Sequence, residues 1–229
     1  MNYTYAIGDI HGRENLLEKM YARIEYDPHR PAKTTKPTVI HLGDYIDGGP
    51  NSDKVLDLIM RGSPVFNSIS LLGNHEALML DCLETDDRDV WWNWISNGGN
   101  KTMDALGISN RFGGYDPVGL SEALGTTRIH WLRNLPLYHI VKPYLFVHAG
   151  IVPERPIEKQ KKKDMLWIRS RFLECDIKHE FIIVHGHTQT YEPEILHNRI
   201  GIDTGAARPK TLTAVALDGV NSPRFMSVS

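Results

Sequence analysis

The sequence contains little cysteine and no long apolar run. Cys82 and Cys175 are the two cysteines among 229 residues, and neither lies in a CxxC or Cys/His spacing, which excludes a disulfide framework and a zinc ribbon. No stretch of about 18 consecutive apolar residues occurs, which excludes a typical membrane-spanning helix. The N-terminus lacks the basic and apolar regions of a signal peptide. We therefore predict a cytoplasmic protein without a membrane partner.

An excess of charge of one sign is also missing. The chain has 26 lysines and arginines against 28 aspartates and glutamates, which gives a formal net charge of −2. It therefore lacks the global cationic field that non-specific binding to nucleic acid needs, and we expect no nucleic-acid partner. The length, without an internal repeat or a long linker, predicts a single domain over residues 1–229. The oligomeric state stays unknown at this stage.

Short apolar runs that end in a glycine or a polar residue recur along the chain. They predict buried strands at 3–7, 38–42, 65–72, 144–147 and 181–184. Helical periodicity at 14–24 and 52–60 completes βαβ units and predicts an α/β fold. A mostly helical insertion over one sheet edge is predicted at about 76–137. The last third predicts antiparallel hairpins, with strands at 137–141, 194–197, 199–203, 211–217 and 224–228.

Side chains that bind metals follow each of the five buried runs. They are Asp9 and His11, Asp44 and Asp47, Asn74 and His75, His148, and His187. One such aspartate alone would be read as a helix N-cap, and one Gly-His pair as a structural histidine. Because open α/β sheets place their ligands at the carboxyl ends of the strands, the whole set predicts metal chemistry there. An extended backbone would point Asp9 and His11 to the same side.

The motifs that contain these residues occur in a characteristic order. They are GDIHG (8–12), GDYIDGG (43–49), GNHE (73–76), HAG (148–150) and GHT (186–188). In this order they closely resemble the phosphoprotein phosphatase family of calcineurin-like metallophosphoesterases. The resemblance implies a binuclear metal centre and two mixed β-sheets flanked by helices. Carried over position by position, it implies six metal ligands: Asp9, His11, Asp44, Asn74, His148 and His187.

The same resemblance implies the roles of the remaining site residues. Asp44 would bridge two divalent ions, and a hydroxide held between them would attack phosphorus directly. His75 would act as the general acid on the leaving group, with Asp47 holding its ring. His185 lies one step outside the matching motif and is predicted to support the ligands. Glu76 is predicted to cap the helix, with support of the same ligands as the alternative. Mn²⁺ is the expected metal, while Fe and Zn²⁺ also suit this ligand set.

Binding of the substrate phosphate needs cationic donors as well as Asn74. Many members of the family read GDYxDRG, but Gly48 stands here in place of that arginine. The resemblance assigns Arg169, in DMLWIR, to the family's other phosphate contact. Arg13 is predicted to replace the missing one, with Lys54 as an alternative. Both are expected on helices, where a solvated position is the competing interpretation.

Several functions remain open from the sequence. We predict hydrolysis of phosphomonoesters, on a phosphorylated protein or a small phosphoester, with serine, threonine and also tyrosine as phosphorylated residues. The alternative is a dinucleoside polyphosphate hydrolase. Asp47 favours the monoesters, because symmetrical diadenosine tetraphosphatases of this family tend to lack it. A passive metal-binding role leaves Asp47 and His75 without a use, and the GHTQ sequence at 186–189 disfavours a nuclease, which usually carries GHxH.

Overall fold

The computed structural model describes residues 3–30, 36–108, 115–208, 210–219 and 221–229. The strands are β1 (Thr4–Ile7), β2 (Thr38–His41), β3 (Asn67–Ser70), β4 (Tyr138–Val141), β5 (Tyr144–Val147), β6 (Ile182–His185), β7 (Glu194–Ile195), β8 (Arg199–Gly201), β9 (Leu212–Leu217) and β10 (Arg224–Val228). The α-helices are α1 (Glu14–Glu25), α2 (Ser52–Arg61), α3 (Asn74–Asp81), α4 (Arg88–Trp94), α5 (Asn100–Ala105), α6 (Pro117–Arg133), α7 (Lys162–Trp167) and α8 (Ser170–Leu173). A π-helical turn, Ile95–Gly99, joins α4 to α5, and a 3₁₀ turn spans Ile157–Lys159.

The strands form two mixed sheets of similar design. The first has the order β10-β9-β1-β2-β3 and the second the order β4-β5-β6-β8-β7. Strands β1, β2 and β3 run parallel, as do β5, β6 and β8, whereas the remaining strands pair antiparallel with them or with each other. The predicted α/β fold with two mixed sheets is confirmed. The carboxyl ends of the parallel strands form the edge of the sheets at which the site is expected.

Three apolar cores hold the layers together. Phe146, Val184 and Ile200 of the second sheet pack with Ile40 and Val215 of the first, so this core lies between the sheets. A larger core joins the other face of the first sheet to α1 and α2, and a smaller one joins the second sheet to α7 and α8. The molecule is therefore layered helix, sheet, sheet, helix. The central strands of both sheets are fixed by packing on their faces as well as by their hydrogen bonds.

The helical periodicity of the first third is confirmed. On α1 the buried residues are Leu16, Leu17, Met20 and Ile24, and on α2 the apolar face is Val55, Leu56 and Ile59. This spacing of three and four residues makes one stripe on each helix, which packs on the first sheet. The two helices thereby return the chain to the start of each parallel strand.

The antiparallel hairpins predicted for the last third are confirmed by the pairs β4–β5, β7–β8 and β9–β10, and β8 in addition pairs parallel with β6. Two other details of the predicted elements are wrong. The strand predicted as buried at 65–72 is an edge strand, with Asn67 and Ser68 exposed, because no further strand covers that side among the described residues. His11 has a φ of 49°, so the backbone from Asp9 is not extended there; it turns at Gly12.

The helical segment after β3 lies beside the first sheet. Helices α3 to α6 contribute Trp91, Trp94, Met103 and Leu132 to the core that includes α1 and α2. Its end meets the edge strand region, where Leu72 N–H donates to the carbonyl of Pro136 at 2.9 Å. Residues 109–114 of the predicted insertion lie outside the described ranges. A single domain over the whole chain stays a prediction.

Across the described ranges, none of the helices combines the length and the apolar composition that a bilayer crossing needs.

Truncation of the inter-sheet core tests the layered architecture. Phe146 is fully buried between the sheets, so Phe146→Ala should lower the free energy of unfolding by about 3–5 kcal/mol, measured by urea denaturation. Tyr191 is 92% exposed, and the control Tyr191→Ala should change it by less than about 0.5 kcal/mol. Equal losses in the two variants would contradict this account of the core.

Candidate metal centre

Each of the parallel strands is followed by side chains that bind metals. They are Asp9 and His11 after β1, Asp44 after β2, Asn74 after β3, His148 after β5, His187 after β6 and Asp203 after β8. His11 is half-buried and the others are buried. Asp203 is not among the predicted residues. The signal that points to it is the same as for the others, because it follows β8 and the apolar residue Ile202, within IDTGA.

Asp44 stands at the centre of this group. Its Oδ1 lies 3.4 Å from His148 Nε2, and its Oδ2 lies 3.8 Å from His11 Nε2 and 3.7 Å from His75 Nε2. Two clusters result, His11–Asp44–His75 and Asp44–His148–His187, each with ligand-type atoms within 4.8 Å of one another. Asp44 belongs to both clusters, which is the position that a carboxylate bridging two cations would occupy.

The histidine rings are oriented by main-chain carbonyls. His148 Nδ1 is 3.0 Å from the carbonyl oxygen of Leu42, and His11 Nδ1 is 3.0 Å from that of Ile46. Donation of Nδ1–H to these carbonyls leaves a lone pair on each Nε2, on the side of Asp44. This is the arrangement by which proteins fix the tautomer of a metal-binding histidine.

In the second cluster, lone pairs of histidine ring nitrogens and of an amide oxygen face a common space. Burial lowers the pKa of His148, which favours the neutral ring, and its Nε2 lies 2.7 Å from Asn74 Oδ1. Burial likewise lowers the pKa of His187 to about 3, and its buried Nε2 has no hydrogen-bond partner among the described residues. Facing lone pairs and an unpartnered ring nitrogen are unfavourable unless a cation lies there. The donor set therefore fits a divalent metal ion.

An excess of buried negative charge supports the same conclusion. Burial and the nearby carboxylate of Asp203 raise the pKa of Asp9 well above its ordinary value. Burial would also raise the pKa of Asp44, but three neighbouring histidines keep it below its ordinary value. Such carboxylates are costly to bury without a counter-ion. Bound cations would remove this cost.

The structure places Asp9 differently from the other predicted ligands. Its two carboxylate oxygens accept the backbone N–H of His187 at 3.0 and 3.2 Å. A Cβ on Gly186 would collide with Asp9 Oδ1, so only glycine permits this approach. Asp9 is not a member of either His/Asp cluster in the described residues, and its role as a ligand stays a prediction.

His75, a member of the first cluster, is also bound by a second carboxylate. Its Nδ1 lies 2.7 Å from Asp47 Oδ2, which leaves Nε2 facing Asp44 Oδ2. Burial lowers the pKa of His75, but the charges of Asp44 and Asp47 outweigh it and raise the pKa to about 9. A ring held in this way can carry a proton towards the space beside Asp44.

Glu76 organises the loop that carries Asp44. Its carboxylate accepts the backbone N–H groups of Asp44, Tyr45, Ile46 and Gly73, at 2.7 to 3.2 Å. The bond from Gly73 caps α3, as predicted, and the other three fix the turn after β2. Burial and the charge of Asp44 raise the pKa of Glu76 to about 8, while the four donors stabilise its ionised form.

Backbone strain is concentrated at this edge. His11, Asp44, Asp47 and His187 all have φ between 49° and 68°. Residues other than glycine adopt this left-handed backbone conformation at a cost of about 1–3 kcal/mol, and such residues cluster at functional sites. Three of these residues, His11, Asp44 and His187, belong to the two clusters, and the fourth, Asp47, contacts His75.

The predicted phosphate contacts lie at the rim. Arg169 is exposed, and its Nη1 donates to Thr188 Oγ1 at 3.2 Å, one residue after His187. Arg13 precedes α1 rather than lying on it, and its Nη2 donates to the carbonyl of Ala207 at 3.0 Å. Lys54 is on α2 and pairs with Glu14 at 3.5 Å on the surface.

His185 is buried beside the cluster without entering it. Its Nδ1 lies 3.1 Å from the carbonyl of Gly186, and burial lowers its pKa to about 4. Its Nε2 has no partner in the described part of the chain. The ring packs on Phe172, with ring centroids 5.1 Å apart, on the α8 side of the second sheet.

A family model for calcineurin-like phosphoesterases matches residues 4–211. The chain belongs to this family. The prediction from the sequence motifs is confirmed at this level, and the protein is a metallophosphoesterase that hydrolyses phosphoesters. The family uses divalent metals, in agreement with the two clusters around Asp44.

Relatives of this phosphoesterase carry names with different substrates. It is 29% identical to serine/threonine-protein phosphatase 2 of Salmonella typhimurium, over 89% of this chain and 88% of the relative. It is 26% identical to the asymmetrical bis(5'-nucleosyl)-tetraphosphatase PrpE of Oceanobacillus iheyensis, over 91% and 86%. Its fold is similar to that of a cold-active protein-tyrosine phosphatase of Shewanella, with a TM-score of 0.62 and 17% identity over 98% and 80%. The two relatives carry names with different substrates, and the similarity to the tyrosine phosphatase concerns the fold alone.

The shared position of Asp44 predicts that one substitution disturbs both clusters. Asp44→Asn should lower the manganese content of reloaded phosphoesterase from about two ions per chain to less than one, measured by plasma mass spectrometry. The control Asp176→Asn changes a carboxylate that is 97% exposed and should retain the full content. Full occupancy in Asp44→Asn would mean that the metals bind elsewhere.

Proposed function

We propose that this phosphoesterase is a phosphomonoesterase, most suited to phosphoserine and phosphothreonine in proteins and also accepting phosphotyrosine. The observation that carries the proposal is the 2.7 Å contact between His75 Nδ1 and Asp47 Oδ2. An alkoxide is a poor leaving group and needs a proton from a positioned acid, whereas a phosphate leaving group needs little help. The His75–Asp47 pair supplies such an acid beside Asp44.

The metal site supports the same reaction. Two divalent ions, when bound, would activate water and neutralise the phosphoryl oxygens. We assign Asp9, His11 and Asp44 to the first ion, and Asp44, Asn74, His148 and His187 to the second. Mn²⁺ is our expectation for both, while the donor set also suits Fe and Zn²⁺.

Three residues are proposed to orient the phosphate. Arg169 reaches the edge of the site next to Thr188, and its guanidinium can bind two oxygens at once. Asn74 is buried at the second cluster. Arg13 lies near the position that an arginine at 48 would occupy, since a Cβ on Gly48 would be 3.2 Å from Ala207 Cβ, and Arg13 binds the carbonyl of the same residue.

Hydrolysis of dinucleoside polyphosphates is the second candidate. It is favoured by the similarity to PrpE over 91% of this chain, but the His75–Asp47 pair has no clear use in it. A cytoplasmic location is part of the proposal and is supported by the free thiols of Cys82 and Cys175.

Product analysis distinguishes the two candidates. Manganese-loaded phosphoesterase is given phosphoserine, phosphothreonine and phosphotyrosine peptides together with diadenosine tetraphosphate, and the products are followed by phosphorus NMR. We expect inorganic phosphate from the peptides as the main product. In the control His75→Asn, turnover of the phosphoserine peptide should fall by about 10²–10⁴-fold. Nucleotides as the main product would overturn the proposal in favour of the second candidate.

Removal of the Arg13 charge tests the phosphate contact. A hydrogen bond from a charged donor contributes about 1.5–3 kcal/mol, so Arg13→Gln should raise KM for phosphopeptides by about tenfold or more, with kcat little changed. Arg23 is exposed on α1, and the control Arg23→Gln should leave KM unaltered. An unchanged KM in Arg13→Gln would exclude Arg13 as a phosphate ligand.

A further inference from the structure

The contacts of Asp47 come mainly from a distant part of the chain. Thr102 Oγ1, on α5, donates to Asp47 Oδ1 at 2.6 Å, and Trp94 Nε1, at the end of α4, donates to Asp47 Oδ2 at 3.1 Å. Asp47 N–H donates in return to Thr102 Oγ1 at 3.0 Å. The helical segment after β3 therefore forms hydrogen bonds to the same carboxylate that contacts His75.

These contacts define the orientation of the carboxylate completely. Asp47 is fully buried, and within the described ranges it forms an ion pair with His75. Each carboxylate oxygen has a neutral donor from the helical segment, and Oδ2 also faces His75 Nδ1. Both oxygens are therefore used, and rotation of the carboxylate would break a bond to Thr102 or to Trp94. A buried carboxylate that loses a donor is costly and will move to recover one.

The turn between α4 and α5 allows residues of both helices to reach the carboxylate of Asp47. The chain is kinked there at Gly98, whose φ of 102° is not helical. A Cβ on Gly98 would be 3.2 Å from Gly48 N and 3.5 Å from Asp47 Cβ, so the turn lies directly on the loop that carries Asp47. Here the turn brings residues on both of its sides onto one carboxylate.

A tryptophan that is buried on α4 does not necessarily form a hydrogen bond to Asp47, as Trp91 shows. Trp91 and Trp94 are both buried, and their rings meet edge to face with centroids 5.5 Å apart. The indole nitrogen of Trp91 has no hydrogen-bond partner in the described structure, whereas that of Trp94 binds Asp47. Two buried tryptophans therefore lie on the same helix, and of the two it is Trp94 that donates a hydrogen bond to Asp47.

We propose that Thr102 and Trp94 are positioning residues, which act through Asp47 to orient His75 for proton donation to the leaving group. The inference rests on the proposed function. It gives the helical segment a role in the choice of substrate, because the hydrogen bonds to Asp47 matter most for esters whose leaving groups need a proton. Thr102 and Trp94 belong to neither His/Asp cluster, so the metals should bind normally without them.

The dependence of rate on the leaving group tests this inference. Rates of manganese-loaded protein are measured on a phosphoserine peptide and on aryl phosphates whose phenols span a wide range of pKa. Thr102→Val and Trp94→Phe should lower kcat on phosphoserine by about tenfold, with KM and metal content unchanged, and alter p-nitrophenyl phosphate turnover less than about threefold. Their rates should fall more steeply with leaving-group pKa. Thr102→Ser, which keeps the hydroxyl, and Trp91→Phe should follow the wild type.

Each outcome separates the inference from the function on which it rests. If His75→Asn does not steepen the dependence, the general-acid role itself fails. If His75→Asn steepens it while Thr102→Val and Trp94→Phe lower all rates equally, the positioning role is wrong. A steeper dependence in Trp91→Phe would also overturn the inference, because any disturbance of α4 would then suffice. Should one variant not fold, the comparison of Trp94→Phe with Trp91→Phe, or of Thr102→Val with Thr102→Ser, decides alone.

Discussion

A carboxylate away from water stays ionised only where cations or hydrogen-bond donors face it, and the position of Asp44 follows from that constraint. Its Oδ1 accepts the N–H of His75 at 3.1 Å, and its two oxygens face two different groups of histidines. Glu76 fixes the turn that carries it by binding three consecutive N–H groups. The strand ends, the strained turns and the close approach of glycine backbones all serve to place these groups around one charge.

The surrounding scaffold gives the rigidity that such a site needs. Polar side chains from both sheets meet at one edge because the core between the sheets, around Phe146 and Val184, fixes the sheets against each other. Buried carboxylates and lone pairs that face one another reduce the stability of the protein without metal. Binding of divalent ions would relieve this repulsion, so that metal affinity and folding stability are linked.

The helical segment after β3 contacts the site at Asp47, through Thr102 and Trp94. Two metal ions alone would suit many phosphoesters, in agreement with the different names of the relatives. In the proposed function, the contacts with Asp47 act on His75 as the proton donor instead. Substrate preference would then reside in how firmly this acid is held, rather than in the metals.

The βαβ units, the strand ends and the family can be predicted from the sequence, because apolar periodicity and short motifs are local properties. The same motifs point to His11, Asp44 and His148, each within four residues of the end of an apolar run. Which side chains touch Asp47 depends on the tertiary fold, since Trp94 and Thr102 lie 47 and 55 residues away along the chain. The tertiary fold likewise decided that β8 runs parallel to β6 and that His11 sits in a left-handed turn. Contacts of this range depend on how helices and sheets pack together, and no local periodicity encodes that packing.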